Sequence, residues 1–537
     1  MSQLARLCLV GLLISSCAPP DPRKIVGSMD LDPPSGQPKI STVTDLGSVP
    51  LIMNRPLGQD KSDGVAVVGE LLVIRGKNFG RQPTVSFGTK PMTVLARTAE
   101  GGIVVRAPHD STPGAHNVTV TNERGSSSFP MTLKRYGLAV VPGLPGILVL
   151  DVGVGKVTPV GKPLLATAPG FVELHKDGSV AYATTGSKNP NLLVIDLAAA
   201  GGPKVLAQRG LGDWKVLGLA VAADAKTLAV VHEKAILIFD LDDPRDPLRF
   251  NPARLPSGVA KAGVADVKLS PDGKTLAILV EEGNALVLFD VSDPNQVRNT
   301  AFLPLLPDAK ESLVRSLHFS FEPASAISQV LWVSTGDTPK SQTVGKHAPK
   351  LLKLGVTSAV DRTVLPSLTP LGQVELQGAF TPLDLTSSYA VTEIVSASVL
   401  RREPGKMAIF ASMMHPDLFL LGTQRLDSPT GLQQGAELLR KLGNFGVIQK
   451  TDPRGRGSEF HSAPALASSI ALTGDGRLLL AVTCQPKAEV DPPRVEIPCG
   501  LLIKPTDQGE PTTLPLGQLP IAAFAPPFKF GRIALQP

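Results

Sequence analysis

The residues able to do chemistry are few and scattered. Eight histidines stand singly, at His109, His116, His175, His232, His318, His347, His415 and His461. No GxSxG elbow, HExxH pair, Walker A loop or CxxC accompanies them. The sequence signatures of acyl transfer, zinc hydrolysis, phosphate cradling and thiol redox work are therefore missing. His175, His232 and His318 occupy comparable places in a recurring unit, which leaves two readings: convergence near a common axis, or separate surface and turn histidines. The acidic run Asp240, Asp242, Asp243 and Asp246 offers oxygen ligands of the kind Ca²⁺ takes. Pro244 and Pro247 give that run the look of an exposed loop, and Ser292-Asp293-Pro294 repeats the pattern. No catalytic residue, metal site or cofactor is assigned.

The four cysteines separate by position. Arg6, the apolar run Leu7 to Ile14 and the small pair Ser15-Ser16 before Cys17 form a signal-peptide plan. Eight helical residues cover only about 12 Å, short of a roughly 30 Å bilayer core, so this run is no transmembrane anchor. Ile14-Ser15-Ser16-Cys17 resembles a bacterial lipobox. The resemblance implies cleavage before Cys17 and lipid attachment to its thiol, with an ordinary secretory signal as the alternative. Ala18 after the cysteine resembles the default outer-membrane sorting pattern. The expected location is the cell envelope, lipid-anchored, at the outer membrane, facing either the periplasm or the surface. Cys8 falls in the signal. Cys484 and Cys499 flank a loop containing Asp491-Pro492-Pro493-Arg494; strands at its base would bring the pair within disulfide reach.

Composition bounds the rest. With 42% hydrophobic residues the chain is not globally disordered, and 537 residues exceed one ordinary core. The 51 Gly and 50 Pro between short β-branched runs point to β architecture. A net charge of +6 with no Lys/Arg block argues against nucleic acid. Three Tyr and two Trp give poor support to a sugar-binding aromatic platform.

Four organisational units are expected: a signal over 1–16, a Pro-rich flexible tether over 17–50, a β-sandwich over 51–135 and a large repeat region over 136–537. In the third, Val118 and Val120 alternate with Asn117, Thr119 and Thr121, the pattern of a half-buried strand. Ile74-Arg75-Gly76, Asn78-Phe79-Gly80, Phe87-Gly88, the Pro108 turn and Asn122 with Gly125-Ser126 together resemble the IPT/TIG immunoglobulin-like domain. That resemblance implies an interaction or spacer module without catalytic residues of its own. Asn78 is read as a turn former.

The repeat region recurs around Asp177-Gly178, Asp224-Ala225 and Asp272-Gly273, anchors 47 and 48 residues apart, with a further copy at Asp475-Gly476. Each unit reads as a strand, a turn, a second strand and a third strand ending in Asp, as at Asp196, Asp240 and Asp290. A period in the forties with several strands marks a β-propeller blade. Ser270-Pro271-Asp272-Gly273-Lys274 and Val287-Leu288-Phe289-Asp290-Val291 resemble YVTN/lactonase-like and LVIVD-type repeats. Degenerate anchors at Glu322-Pro323 and Pro404-Gly405 leave long gaps, attributed to insertions near 360–395 and 424–460. Tyr136 to Asp151 begins mid-unit and Pro520 to Pro526 starts one that never finishes, so the two ends are expected to complete one blade. The fold class is thus all-β: a small immunoglobulin-like sandwich followed by a propeller of seven blades, or eight if the gaps conceal another.

Within the second gap, Leu432, Ala436 and Leu439 fall on one helical face, with Arg440 and Lys441 in the last turn and a basic loop carrying Arg454 and Arg456. The alternatives are a helix packed on the propeller and a partner-binding insertion formed by Leu432, Leu439, Arg440, Lys441, Arg454 and Arg456. The expected function is a non-enzymatic, membrane-anchored protein that binds or scaffolds proteins in a surface assembly or adhesion. The alternative is a lactonase-like propeller hydrolase.

Overall fold

The computed structural model describes residues 35–45, most of 64–304 and the strands between 312 and 536. Cys8, Cys17, Leu432, Arg454 and Arg456 lie outside the described residues.

The sandwich is built from β1 (Lys39–Asp45), β2 (Val65–Val67), β3 (Leu71–Lys77), β4 (Thr84–Phe87), β5 (Lys90–Met92), β6 (Val94–Arg97), β7 (Ile103–Arg106), β8 (Gly114–Asn122) and β9 (Gly125–Lys134). One sheet runs β1-β3-β7-β6 and the other β2-β9-β8-β4-β5. Val118 and Val120 are fully buried, with Ile74, Phe87 and Ile103 in the same core. The period-2 pattern of β8 therefore resolves into an inward apolar face and an outward polar one.

β1 corrects the expected tether, which was to run to residue 50. Its backbone pairs with β3 from Lys39 opposite Lys77 to Asp45 opposite Leu72. Two asparagines hold its entry. Asn78 sits at φ +59, as a turn former should, and also accepts from Ser35 Oγ at 2.9 Å. Asn122 Nδ2 donates to the carbonyls of Gly36 at 3.1 Å and Asn78 at 2.6 Å. A stretch read as tether is a strand because the edge of β3 offers unpaired backbone groups and Val43 is buried in the sandwich core.

Among the described residues, seven sheets of the remainder each contain at least four strands. Their innermost strands are Arg532–Leu535 in blade 1, Pro169–Leu174 in blade 2, Val216–Val221 in blade 3, Val264–Leu269 in blade 4, Ser312–Phe321 in blade 5, Ile394–Glu403 in blade 6 and Leu466–Leu472 in blade 7. Each contacts the innermost strands of the two neighbouring blades, and blade 7 returns to blade 1. The result is a closed seven-bladed β-propeller. Closure is made by one strand: Arg532–Leu535 pairs with Tyr136–Val140, the second strand of blade 1. The closing strand therefore begins six residues beyond the Pro520–Pro526 stretch expected to supply it.

The stretches expected as insertions also supply blade strands. Ser367–Glu375 is the outer strand of blade 5 and Glu437–Asn444 that of blade 6. The latter replaces part of the expected helix, placing Leu439, Arg440 and Lys441 on a strand paired with Asp417–Gly422. Ladder pairing at a blade edge overrides a helical period there. Blade 7 sets Cys484 directly opposite Cys499 in register.

Candidate functional site

Blade turns position a recurring set of polar side chains, each tied to a defined partner. In blade 2, Gly178 N donates to His175 O and His175 N to Val180 O, both at 2.9 Å. Gly178 takes φ +76 and Gly273, at the same place in blade 4, takes +69. Blade 3 has Ala225 there at φ +65, outside the region L-residues prefer. The preceding Asp caps each turn. Asp177, Asp224 and Asp272 accept from the backbone N–H two residues on, at 3.1, 2.9 and 3.2 Å. The Asp that ends the third strand repeats the device: Asp196, Asp240 and Asp290 accept from Ala198, Asp242 and Ser292. Asp240 and Asp243 in the acidic run are thus turn-capping groups. Among the described residues, no three His, Cys, Asp or Glu side chains gather as a metal site.

The blade 2 turn is also where the sandwich meets the propeller. Asp177 lies 3.3 Å from Arg106 at the end of β7 and 2.7 Å from His175 Nδ1. Burial alone would raise the Asp177 carboxyl. The His175 hydrogen bond, the charges of His175 and Arg106 and the Ser179 N–H outweigh that and hold it below its ordinary value. Gly69, at φ +80, passes so close that a Cβ would stand 1.3 Å from Asp177 O. Arg106 Nη1 donates to Gly69 O at 2.6 Å. Gln536, fully buried, joins three parts. Its Oε1 accepts from Tyr136 N, its Nε2 donates to Gly178 O, and Nε2 also reaches Val68 O at 3.4 Å. No linker intervenes: Arg135 alone separates β9 from Tyr136–Val140, is fully buried, and donates to His109 O at 2.7 Å.

Blades 2, 3 and 4 are cross-tied. His175 Nε2 lies 2.9 Å from Ala225 O and so donates to it. Tyr182 Oη donates to Pro244 O at 2.8 Å; burial, then the nearby Asp177 and Asp243 charges, pushes its pKa well up and keeps the phenol neutral. Arg245 reaches Asp196 at 2.9 Å. Lys268 Nζ meets Glu173 Oε1 at 2.6 Å, joining the innermost strands of blades 4 and 2 past the blade between them. Glu173, Ala220 and Lys268 each stand four residues before their turn Asp. Opposite charges flanking an alanine at one repeat position were the legible signal for this bridge.

The predicted histidines do not converge as a set. His175 is in the blade 2 turn and His232 at the far end of the second strand of blade 3. His318 lies on the innermost strand of blade 5, so the three occupy different levels of their blades. His232 Nδ1 accepts from Ala235 N at 3.2 Å. Its ring packs tilted against Trp214, centroids 5.0 Å apart at 37°, with Lys234 Nζ 5.1 Å from the indole centroid. The sequence singled out neither Trp214 nor Lys234.

Residues 62–134 match the IPT/TIG domain model. No curated protein matches the chain. Solved structures of similar shape include a protein from Lactobacillus plantarum, 12% identical, covering 75% of this chain and 99% of that one, with a TM-score of 0.43. The Cps50 (Swd1) β-propeller domain of Myceliophteria thermophila is 12% identical over 66% of this chain and 88% of its own, with a TM-score of 0.40. Periplasmic gluconolactonase PpgL of Pseudomonas aeruginosa is 14% identical, with coverages of 67% and 95% and a TM-score of 0.38.

Proposed function

We propose that this chain is a lipid-anchored cell-envelope protein, held by Cys17 at the outer membrane, that binds other proteins and scaffolds a surface assembly. The observation that supports it is the joint. An IPT/TIG domain, a module type suited to binding, is fastened to a closed propeller through Arg106–Asp177, Gly69 and Gln536 without a linker. Fixing two binding-type modules in one geometry lowers the ordering cost of engaging a partner across both. The outer edge of blade 6, with Leu439, Arg440 and Lys441, is one candidate contact. In this reading Cys484 and Cys499, opposite one another in blade 7, are joined as a disulfide in the oxidising envelope.

Labelling cells with a palmitate analogue tests the anchor. Wild type is expected to carry label and sediment with membranes; Cys17→Ser is expected to lose both, and a labelled or sedimenting variant refutes the anchor. Crosslinking followed by co-purification of the full chain from detergent-solubilised envelopes tests binding. A reproducible stoichiometric partner is the expected result, and repeated recovery of the chain alone refutes it.

A further inference from the structure

The best-defined surface left unexplained lies on blade 3, at the end of its strands remote from the turn holding Ala225. That turn touches His175, beside the sandwich joint, so the remote end is clear of the IPT/TIG domain. The loop Gly212-Asp213-Trp214-Lys215 leads into the innermost strand and Glu233-Lys234 joins the second strand to the third. Glu233 N donates to Lys215 O at 3.1 Å and Leu255 N to Lys234 O at 3.0 Å, which brings the two loops and Arg254 side by side.

Three features of this cluster need a partner. Trp214 covers His232 yet keeps 38% of its surface in solvent, and Trp is a residue type that anchors protein interfaces. Beneath it, His232 is 1% exposed. Because its Nδ1 accepts two backbone N–H groups, Nε2 carries the proton, and that buried Nε2–H has no acceptor. Burial, then the charge of Arg249, lowers the His232 pKa and keeps the ring neutral with this single donor. Around the pair stand Lys215, Lys234, Arg249 and Arg254 against Asp213 and Glu233. Among the described residues, no carboxylate lies in ion-pair contact with any of the four cations.

We propose that Trp214, His232 and Lys234 form a docking site on blade 3 for an acidic peptide segment of a protein partner. One carboxylate of the segment is received by Lys234 and Arg254, and an apolar stem lies on the indole. The site rests on the protein-binding reading above and names its surface and partner chemistry. A carboxylate-rich segment answers the net positive charge of Lys215, Lys234, Arg249 and Arg254 against Asp213 and Glu233. One half-embedded indole is too little apolar surface for a membrane-inserting face.

The test uses the purified full chain with hexaglutamate, hexaglutamine and phosphatidylglycerol vesicles as probes. Hexaglutamate is expected to change indole emission saturably, with an affinity that falls as salt rises. The change should be absent in Trp214→Phe, where Trp332 is the remaining emitter. By calorimetry, Lys234→Glu with Arg254→Glu should weaken hexaglutamate at least tenfold, and Trp214→Ala should do so while the chain still unfolds in a cooperative transition. Equal response to hexaglutamine, undiminished binding by the charge-reversed variant, or binding of vesicles without hexaglutamate each overturns the proposal. If Trp214→Ala still captures the wild-type envelope partner, this surface is wrong while protein binding stands. If wild type captures none, the parent reading fails as well.

Discussion

Asp177 shows how one side chain can serve both a turn and a domain contact. Its carboxylate caps Ser179, pairs with His175 and faces Arg106. A carboxyl held below its ordinary value contributes stability that is present above its unfolded pKa of about 3.9 and lost as pH falls through the folded value. Asp177→Asn keeps an acceptor for Ser179 but loses the charge. Its melting temperature should lie below wild type at pH 7, by the equivalent of about 1–2 kcal/mol, and the gap should close as pH falls below the ordinary carboxylate range. An unchanged gap on acidification would remove the charge from the account. Ala225 carries the opposite lesson. The repeat asks for glycine where φ is +65, so Ala225→Gly should raise stability by up to about 1 kcal/mol in thermal denaturation. The Asp-Gly anchors were legible because turn chemistry is local. Asp177's meeting with Arg106 was not, since 71 residues separate them and neither site alone marks a contact.

At the scale of elements, strand identity was readable from period 2 and from the repeat, while edge strands escaped. β1 and Glu437–Asn444 are both peripheral in their sheets; pairing with a neighbour rather than their own pattern makes them strands. The β7-to-blade 2 contact escaped for another reason: Gly69 reads as one more turn glycine, yet its missing Cβ is what lets β2 and β3 approach the Asp177 carbonyl. Gly69→Val should part this joint. Hydrogen exchange should quicken at 67–70 and 175–180 while the blade 4 strands keep their protection, and a uniform change would argue for general unfolding instead. In blade 7 the pairing of Cys484 with Cys499 predicts one disulfide. Non-reducing peptide mapping should find a single cross-linked pair. Reduction should cost about 3 kcal/mol for a loop of this length, and two free thiols would end the claim.

For the whole molecule, the repeat told that a ring exists and the half-units at 136–151 and past 520 told how it shuts. What stayed hidden was that the closing strand also holds the sandwich. Gln536 bonds Tyr136, Gly178 and Val68 together, so Gln536→Ala should weaken ring and joint at once. A single transition at lower temperature is expected, against two separated transitions if the domains are independent; calorimetry distinguishes them. The same residue sets an order of events in time. The bond from Tyr136 to Gln536 spans 400 residues, and contacts so distant in sequence form late. As the chain emerges from its N-terminus, the sandwich can fold as soon as Lys134 is out. Blade 1, its neighbour, must wait with an open edge until residue 536 arrives. Every molecule therefore passes through an interval as an unclosed strip of blades, the state most exposed to pairing with another chain. The seal that ends that interval is made against a domain folded long before.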